Sequence, residues 1–509
     1  MKKTIALLLS VILMSLTLVP AFAVDEQCNC GEPPIIYVAA LGSGTLTLDE
    51  GTKDERVLFR PDTTYIIGEL LPVVSAAGQL ITDGDYDAFG DVLIECVDKI
   101  FGDLALDKDG NSSDSVTCEE FHPTDEVEHS LDHNYYFGYD FRLDPIENAK
   151  GLYQYIQEVK ALTKHDTVQL RASSMGGVTT MSYIKLYGTA DIETIIFQCC
   201  PLLGTAVAGE LYTGKVELNA EAIERYAAQA MPELENDFLG GMVYLLLEML
   251  VTAGLLDDLI EIGDELVLNL KDRVFNEALI PMFATMPGIW SFVPHEYYEE
   301  AKLFMKLDPV ENAKLIEKID FYHYEVQQSA EQLIAESKAN GTTFYNVVGY
   351  NMQRTPIVSA YLNDSDGTVD TKYASLGATC ADINGYLPED YQQQRYTDKD
   401  FISPDLRIDA STSIMPESTW FVKDMMHSST HDGHGEMYKW MFESEEQLTV
   451  FSNRNYPQFM QNDVQNQRFI PVHVEKGGEI GTSLDNFFRM PSFIHFIDLL
   501  SKLIKYFMS

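Results

Sequence analysis

Two rhythms of apolar residues alternate along the first part of this chain. Ile35-Ile36-Tyr37-Val38 is an unbroken run of the kind a buried strand needs. Asn134 to Arg142 is aromatic-rich and strand-like, and it breaks at Asp144-Pro145. Leu152, Tyr155, Ile156, Val159 and Leu162 then recur at helical spacing. Thr167 to Ala172 is short and β-prone, and Val178, Met181, Ile184 and Leu186 return to the helical period. Thr194 to Gln198 is the next strand. Strand, helix, strand, helix, strand in this order implies a parallel sheet with helices on both faces. Ligands of such sheets sit at the carboxyl ends of the strands.

The alternation stops between about 205 and 340. Val216 to Met231, Leu234 to Ile262 and Ala301 to Lys338 read as helices with charged faces. This stretch is expected to be a helical cap inserted into the sheet domain. Gly240 to Leu256 is apolar apart from Glu248, which fits a buried cap helix better than a membrane span. The sheet resumes at Phe344 to Gly349, and Thr419 to Lys423 is the last strand expected. Residues 55 to 105 read as short apolar segments between polar turns. Pro491 to Ser509 reads as an amphipathic helix packed on the sheet. The organisation expected is residues 1–23 as a leader, 24–204 and 341–509 as the two halves of the sheet domain, and 205–340 as the cap.

The chemistry centres on Ala172-Ser173-Ser174-Met175-Gly176-Gly177, which falls between a strand and a helix. A serine on a sharp strand-to-helix turn needs small residues two before and two after it, because the helix start folds back on the strand end. Ala172 and Gly176 fill those places around Ser174, a nucleophile-elbow pattern with Ala for the first Gly. The Met175 N–H, at the helix N-terminus, would face a developing oxyanion. A second oxyanion donor belongs on a small-residue loop after an early strand, and Ala39-Ala40-Leu41-Gly42-Ser43-Gly44 is one. Leu41 is the candidate there, with Ala40 next.

An orienting acid belongs on a loop after a late strand. Asn363-Asp364-Ser365-Asp366-Gly367 offers Asp364 and Asp366, and Gly367 favours Asp366 by permitting a tight turn. The base belongs after the last strand, where His427, His431 and His434 crowd together. Three histidines beside Asp432 and Glu436 also raise a metal-dependent hydrolase, although no helix-borne His-Glu-x-x-His is present. Asp107 to Thr117 has acidic spacing like a calcium loop, without the closing Glu or the flanking helices.

Met-Lys-Lys, an apolar run from Ile5 to Val19 and Ala21-Phe22-Ala23 make a secretory leader the expected reading, cleaved after Ala23. Export permits disulfides, and Cys96 with Cys118, flanking a polar loop, are a plausible pair among the seven cysteines. An odd count leaves at least one thiol free or intermolecular. The formal charge is -44, which argues against nucleic acid and against electrostatic docking on anionic membranes.

Six stretches together resemble the lecithin:cholesterol acyltransferase and lysosomal phospholipase type of α/β-hydrolase, in the serine lipase superfamily. They are Val38 to Leu46, Gly138-Tyr139-Asp140-Phe141-Arg142, Ser173-Ser174-Met175-Gly176-Gly177, Cys200-Pro201-Leu202-Leu203-Gly204-Thr205, Ser365-Asp366-Gly367-Thr368-Val369 and His434-Gly435-Glu436-Met437. They are spread in order over residues 35–441. The first stretch has Ala39-Ala40 where that family has Pro-Gly, and the third has Ser173 where it has His. The resemblance implies an α/β-hydrolase fold with an inserted cap or lid. It also implies Ser174 as nucleophile, Asp366 as orienting acid, His434 as base, Leu41 and Met175 as oxyanion donors, and acyl esters of lipids as substrate class. His427, after Asp424 at the strand end, stays open as the base, with His431 third. The expectation is a secreted ester hydrolase working through an acyl-enzyme without a cofactor, touching lipid surfaces transiently through the cap. An O-acyltransferase, a peptidase on the same triad and a catalytically silent binding protein of this fold are the alternatives.

Overall fold

The strand-like runs assemble into one eight-stranded sheet in the computed structural model, which describes residues 32–124, 134–230, 238–429, 432–444 and 446–472. In chain order its strands are β1 (Ile35–Val38), β2 (Asn134–Phe137), β3 (Val168–Ser173), β4 (Ile192–Gln198), β5 (Thr343–Tyr350), β6 (Thr419–Lys423), β7 (Phe459–Asp463) and β8 (Arg468–Pro471). Their order across the sheet is β2-β1-β3-β4-β5-β6-β7-β8. All neighbours pair in parallel except β7 with β8, which is antiparallel. The order reverses at β1, with β2 on one side and β3 on the other, so the topological switch point, where such sheets bind their ligands, lies at the carboxyl ends of β1 and β3.

Both faces of the sheet are covered, which is why its strands are apolar on both sides. Ile195 and Phe197 of β4 point into one core with Val38, Leu170 and Ala172, while Ile196 points into the other with Val347, Trp420 and Phe421. The first core takes in Leu152, Tyr155, Ile156 and Val159 from α3 (Pro145–Thr163) and Val178, Met181 and Ile184 from α4 (Gly176–Tyr187). Asp144 caps α3 by accepting from the Ile146 N–H, with Pro145 in its first turn.

Three departures from the expected elements have physical causes. Residues 55–105 form two helices, α1 (Thr63–Asp83) and α2 (Tyr86–Phe101), rather than short segments. Asp62 and Asp85 cap their N-termini, and Gly84, at φ 68°, ends the first. Ile66, Leu70, Val73 and Phe89 pack with Leu245, Met249 and Leu250 of α5 (Phe238–Ala253), so this pair joins the later helices in a separate core. Secondly, β6 is not the last strand. β7 and β8 follow it. Thirdly, every element between Ala206 and Ala339 in the described residues is helical, as expected, but the end of this stretch belongs to the sheet. Tyr322, Val326, Ala330 and Ile334 pack in the same core as Val178 and Phe344. Among the described residues one helix, Thr64–Asp83, is long and apolar enough to cross a membrane, and its apolar face lies on α2 and α5.

The leader expected over 1–23, Cys28, Cys30, His431 and the helix expected over 491–509 lie outside the described residues. Cys96 and Cys118 are both free thiols, which corrects the expected pair. One is in α2 and the other in a small antiparallel sheet of Leu46–Leu48, Arg56–Val57 and Val116–Cys118. The calcium-like loop is filled by protein cations instead. Lys314 pairs with Asp109 at 2.9 Å, and Lys318 donates to the carbonyls of Asp109 and Gly110 and to Asn111 Oδ1 at 2.8–3.0 Å.

Candidate active site

β3 ends at Ser173, and the chain turns at once into α4. Ser174 takes φ 51°, a left-handed conformation that costs a side-chain-bearing residue energy and that tight surroundings must hold. Its N–H donates to Gln198 O of β4 at 3.0 Å, and its carbonyl accepts from the Gly177 N–H at 2.9 Å. The small residues the pattern demanded have identifiable neighbours. A Cβ on Gly176 would stand 2.1 Å from Val38 O, and one on Gly177 would stand 2.5 Å from Cys200 Cβ. The turn is therefore clamped between the ends of β1 and β4.

The acid comes from the turn after β5. Asp366 is buried, and its Oδ1 accepts from the N–H groups of Thr368 and Val369 at 3.0 and 2.7 Å. Oδ2 faces His427 Nδ1 at 2.8 Å. His427 Nε2 in turn lies 2.8 Å from Ser174 Oγ. The unbroken chain Asp366–His427–Ser174 fixes one tautomer: Nδ1 carries the proton toward the carboxylate, and Nε2 is left to accept from the serine.

The histidine that reaches Ser174 is thus His427, and the expectation of His434 is corrected on this geometry. After Lys423 the chain reverses at Asp424, φ 58°, whose N–H stays on Tyr350 O at 2.9 Å. That turn brings His427 back over β5, where its N–H donates to Asp366 O at 2.7 Å. His434 lies further on, in the first turn of α6 (Asp432–Glu443), and its side chain is outside the described atoms. Asp364, the other acid weighed, accepts from the Asn351 N–H at 2.6 Å and faces Arg407 at 3.8 Å. Burial pushes its carboxyl up to about 6.

Met175 and Leu41, the expected oxyanion donors, lie at the two turns that meet beside Ser174. Met175 stands between Ser174 and α4, and Leu41 lies in the turn after β1, whose last carbonyl touches Gly176. Among the described residues neither N–H has a hydrogen-bond acceptor. The loop is held from beneath by Tyr139, whose hydroxyl donates to Ala39 O at 2.9 Å.

Sequence reasoning missed two supports. Asp370 and Arg354 form a fully buried ion pair. Asp370 Oδ2 also accepts from the Ala206 N–H at 2.7 Å and Thr205 Oγ1 at 3.1 Å, and Oδ1 from Asn363 Nδ2 at 2.6 Å. The acid-bearing turn is thereby tied to the root of the helical stretch. The second support is Cys199, at φ 51° directly after β4, whose sulfur lies beside Asp366 and His427. The doubled cysteine was visible in the sequence, but nothing in its spacing pointed to the acid. Asp140 and Arg142, from the resemblance, form a buried bidentate pair at 3.0 and 2.7 Å that also holds Leu104 O and Ser112. Its role is to brace the chain after β2.

No family model matches the chain, and no curated protein matches it. Among solved structures it is similar to the crystal structure of the Tle4–Tli4 complex, at 12% identity and TM-score 0.26, over 62% of this chain and 74% of that one.

Proposed function

We propose that this protein is a serine hydrolase that cleaves acyl esters through an acyl-enzyme, with Ser174 as nucleophile, His427 as base and Asp366 as orienting acid. The observation that carries the reading is the pair of 2.8 Å contacts joining the three side chains, centred on a serine in a left-handed elbow. In the first step His427 Nε2 takes the Ser174 proton as Oγ bonds to the ester carbonyl carbon. Charge moves onto the carbonyl oxygen, where the Met175 and Leu41 N–H groups receive it. The intermediate collapses, His427 returns its proton to the departing alcohol, and the acyl group stays on Oγ. Water, deprotonated by the same nitrogen, then releases the acid. Asp366 holds the imidazole in the reactive tautomer and stabilises its charge.

The resemblance to lipid acyl hydrolases and the apolar helices beyond the site support a long acyl chain as substrate and a transient lipid-surface contact, and the leader-like sequence over 1–23 supports an exported location. Transfer of the acyl group to an alcohol instead of water is the alternative on the same residues. A fluorophosphonate probe tests the reading: it is expected to label wild type and not Ser174→Ala, alongside turnover of a nitrophenyl acyl ester. Folded wild-type protein that neither labels nor turns over any ester is a binding protein, and the reading fails.

A further inference from the structure

Cys199 plays no part in acyl transfer, yet it is placed against the residues that do. Its Sγ, one Asp366 oxygen and one His427 ring nitrogen lie within 4.8 Å of one another. They are the described residues' grouping of three potential metal ligands of these types. The backbone holds Cys199 there: its N–H donates to Val347 O at 2.9 Å, and its φ of 51° turns the chain away from β4. Sulfur, imidazole nitrogen and carboxylate oxygen are the donor set of borderline-soft divalent ions such as zinc and cadmium, not of calcium or magnesium.

We propose that Cys199, Asp366 and His427 form an inhibitory site for a thiophilic divalent cation, which switches the triad off when it binds. The proposal rests on the hydrolase reading for its consequence, though not for the binding itself. A tetrahedral zinc has bonds of about 2.3 Å to sulfur and about 2.0–2.1 Å to nitrogen and oxygen, so its ligands sit roughly 3.3–3.7 Å apart. The Asp366–His427 contact of 2.8 Å must open, and the remaining separations, all within 4.8 Å, must close. Each change is about 1 Å or less, within reach of side-chain rotation. Asp366 stays anchored meanwhile through Oδ1 on two backbone N–H groups. The His427 side chain keeps 13% of its surface exposed, so of the three ligands it is the one an ion can meet first.

The chemistry involves no redox change. The Cys199 S–H bond breaks, its proton leaves to solvent, and sulfur bonds the ion. Asp366 supplies a carboxylate oxygen. His427 binds through Nδ1, the nitrogen facing Asp366, so the Nδ1 proton must move to Nε2. Nε2–H then donates to Ser174 Oγ instead of accepting from it, and the serine loses its base. Inhibition thus comes from the wrong tautomer as well as from a blocked pocket. Burial pushes the Cys199 thiol well above its usual range, so the sulfur is a neutral bystander in the metal-free enzyme and the ion must displace its proton.

The experiment titrates zinc, and separately cadmium, into the full-length protein. It follows ester turnover together with the ultraviolet sulfur-to-cadmium charge-transfer band. Wild type is expected to lose turnover as the band grows, and a chelator should restore the rate. Cys199→Ser and Cys199→Ala are expected to need at least about tenfold more metal for half-inhibition, each relative to its own uninhibited rate. Both should lose the band, while Cys200→Ser keeps both responses. Equal sensitivity of wild type and the Cys199 variants overturns the proposal, as does a band that persists in them. If one Cys199 variant does not fold, the other carries the comparison. A Cys199-dependent band in a protein that turns over no ester keeps the metal site and sinks the hydrolase reading. Normal turnover untouched by metal does the reverse.

Discussion

Replacing Asp366 by Asn separates the triad's electrostatics from its architecture. The amide keeps an oxygen for the Thr368 and Val369 N–H groups, which now bind Oδ1 at 3.0 and 2.7 Å. The NH₂ is then left facing His427 Nδ1, where Oδ2 stands at 2.8 Å. Two donors cannot share that contact, so the imidazole changes tautomer. Nδ1 accepts from the amide, and Nε2–H donates to Ser174 Oγ. The base is lost while every backbone bond of the turn survives. The expected loss is about 10⁴-fold in kcat, a cost of about 5.5 kcal/mol at the transition state. KM should change little, because Asp366 is buried and touches no substrate. The assay is steady-state turnover of a nitrophenyl ester, with the rate of fluorophosphonate labelling as a second readout and thermal melting as a check on the fold. A loss below about tenfold, with the fold intact, refutes the tautomer argument.

Other expectations follow from the same geometry. His427→Ala should abolish turnover and labelling, while His434→Ala keeps both; the reverse outcome restores His434 as the base. Gly176→Ala forces a Cβ to within 2.1 Å of Val38 O, so the elbow or β1 must shift. The expected cost is about 3 kcal/mol or more, read as a lowered Tm together with lost labelling. Asp144, pushed by burial from 3.8 up to about 6, binds its proton more tightly folded than unfolded. Stability from this group is therefore present below pH 4 and lost as pH rises through 6, on the order of 3 kcal/mol. Asp144→Asn, which keeps the cap acceptor, should remove that dependence in denaturant titrations. His323, held down by burial from 6.5 to about 4 and stacked on Tyr298, has the opposite sign. Its contribution is present above pH 6.5 and lost as pH falls toward 4, so His323→Phe should flatten the acid limb.

The sheet's middle could be read from the chain because its strands are covered on both faces. Ile35–Val38, Thr343–Tyr350 and Thr419–Lys423 are apolar runs that survive any choice of neighbour. β7 and β8 could not be read so. Gln461, Asn462 and Arg468 break the apolar pattern at the sheet's edge, and only pairing across the hairpin makes them strands. α1 and α2 carry Asp caps and a terminating glycine in plain view, but Pro72 inside α1 is a residue type that ordinarily breaks a helix interior. At the site, Ser174 and Asp366 were legible because their turns demand particular residues on either side. His427 was not singled out because three histidines compete within eight positions. The local signal was Asp424, a residue type that tolerates the left-handed turn needed to reverse the chain at the strand end. Cys199 had no signal at all, since its meaning depends on a contact with a residue far along the chain.

The Asp370 node limits how the chain can be recombined. Thr205 and Ala206 open the helical stretch, yet their hydrogen bonds end on a carboxylate beyond its far end, beside the Asp366 turn. A chimera that imports a different helical segment between 205 and 340 therefore inherits a mismatch at a buried anion already committed to Arg354. Such exchanges should succeed only when the donor segment begins with a hydroxyl residue and a free N–H in the same places. Variation in the helices beyond that junction is unconstrained by it. The seam, together with the sheet-packed end of the segment from Tyr322 to Ile334, is the part that cannot drift.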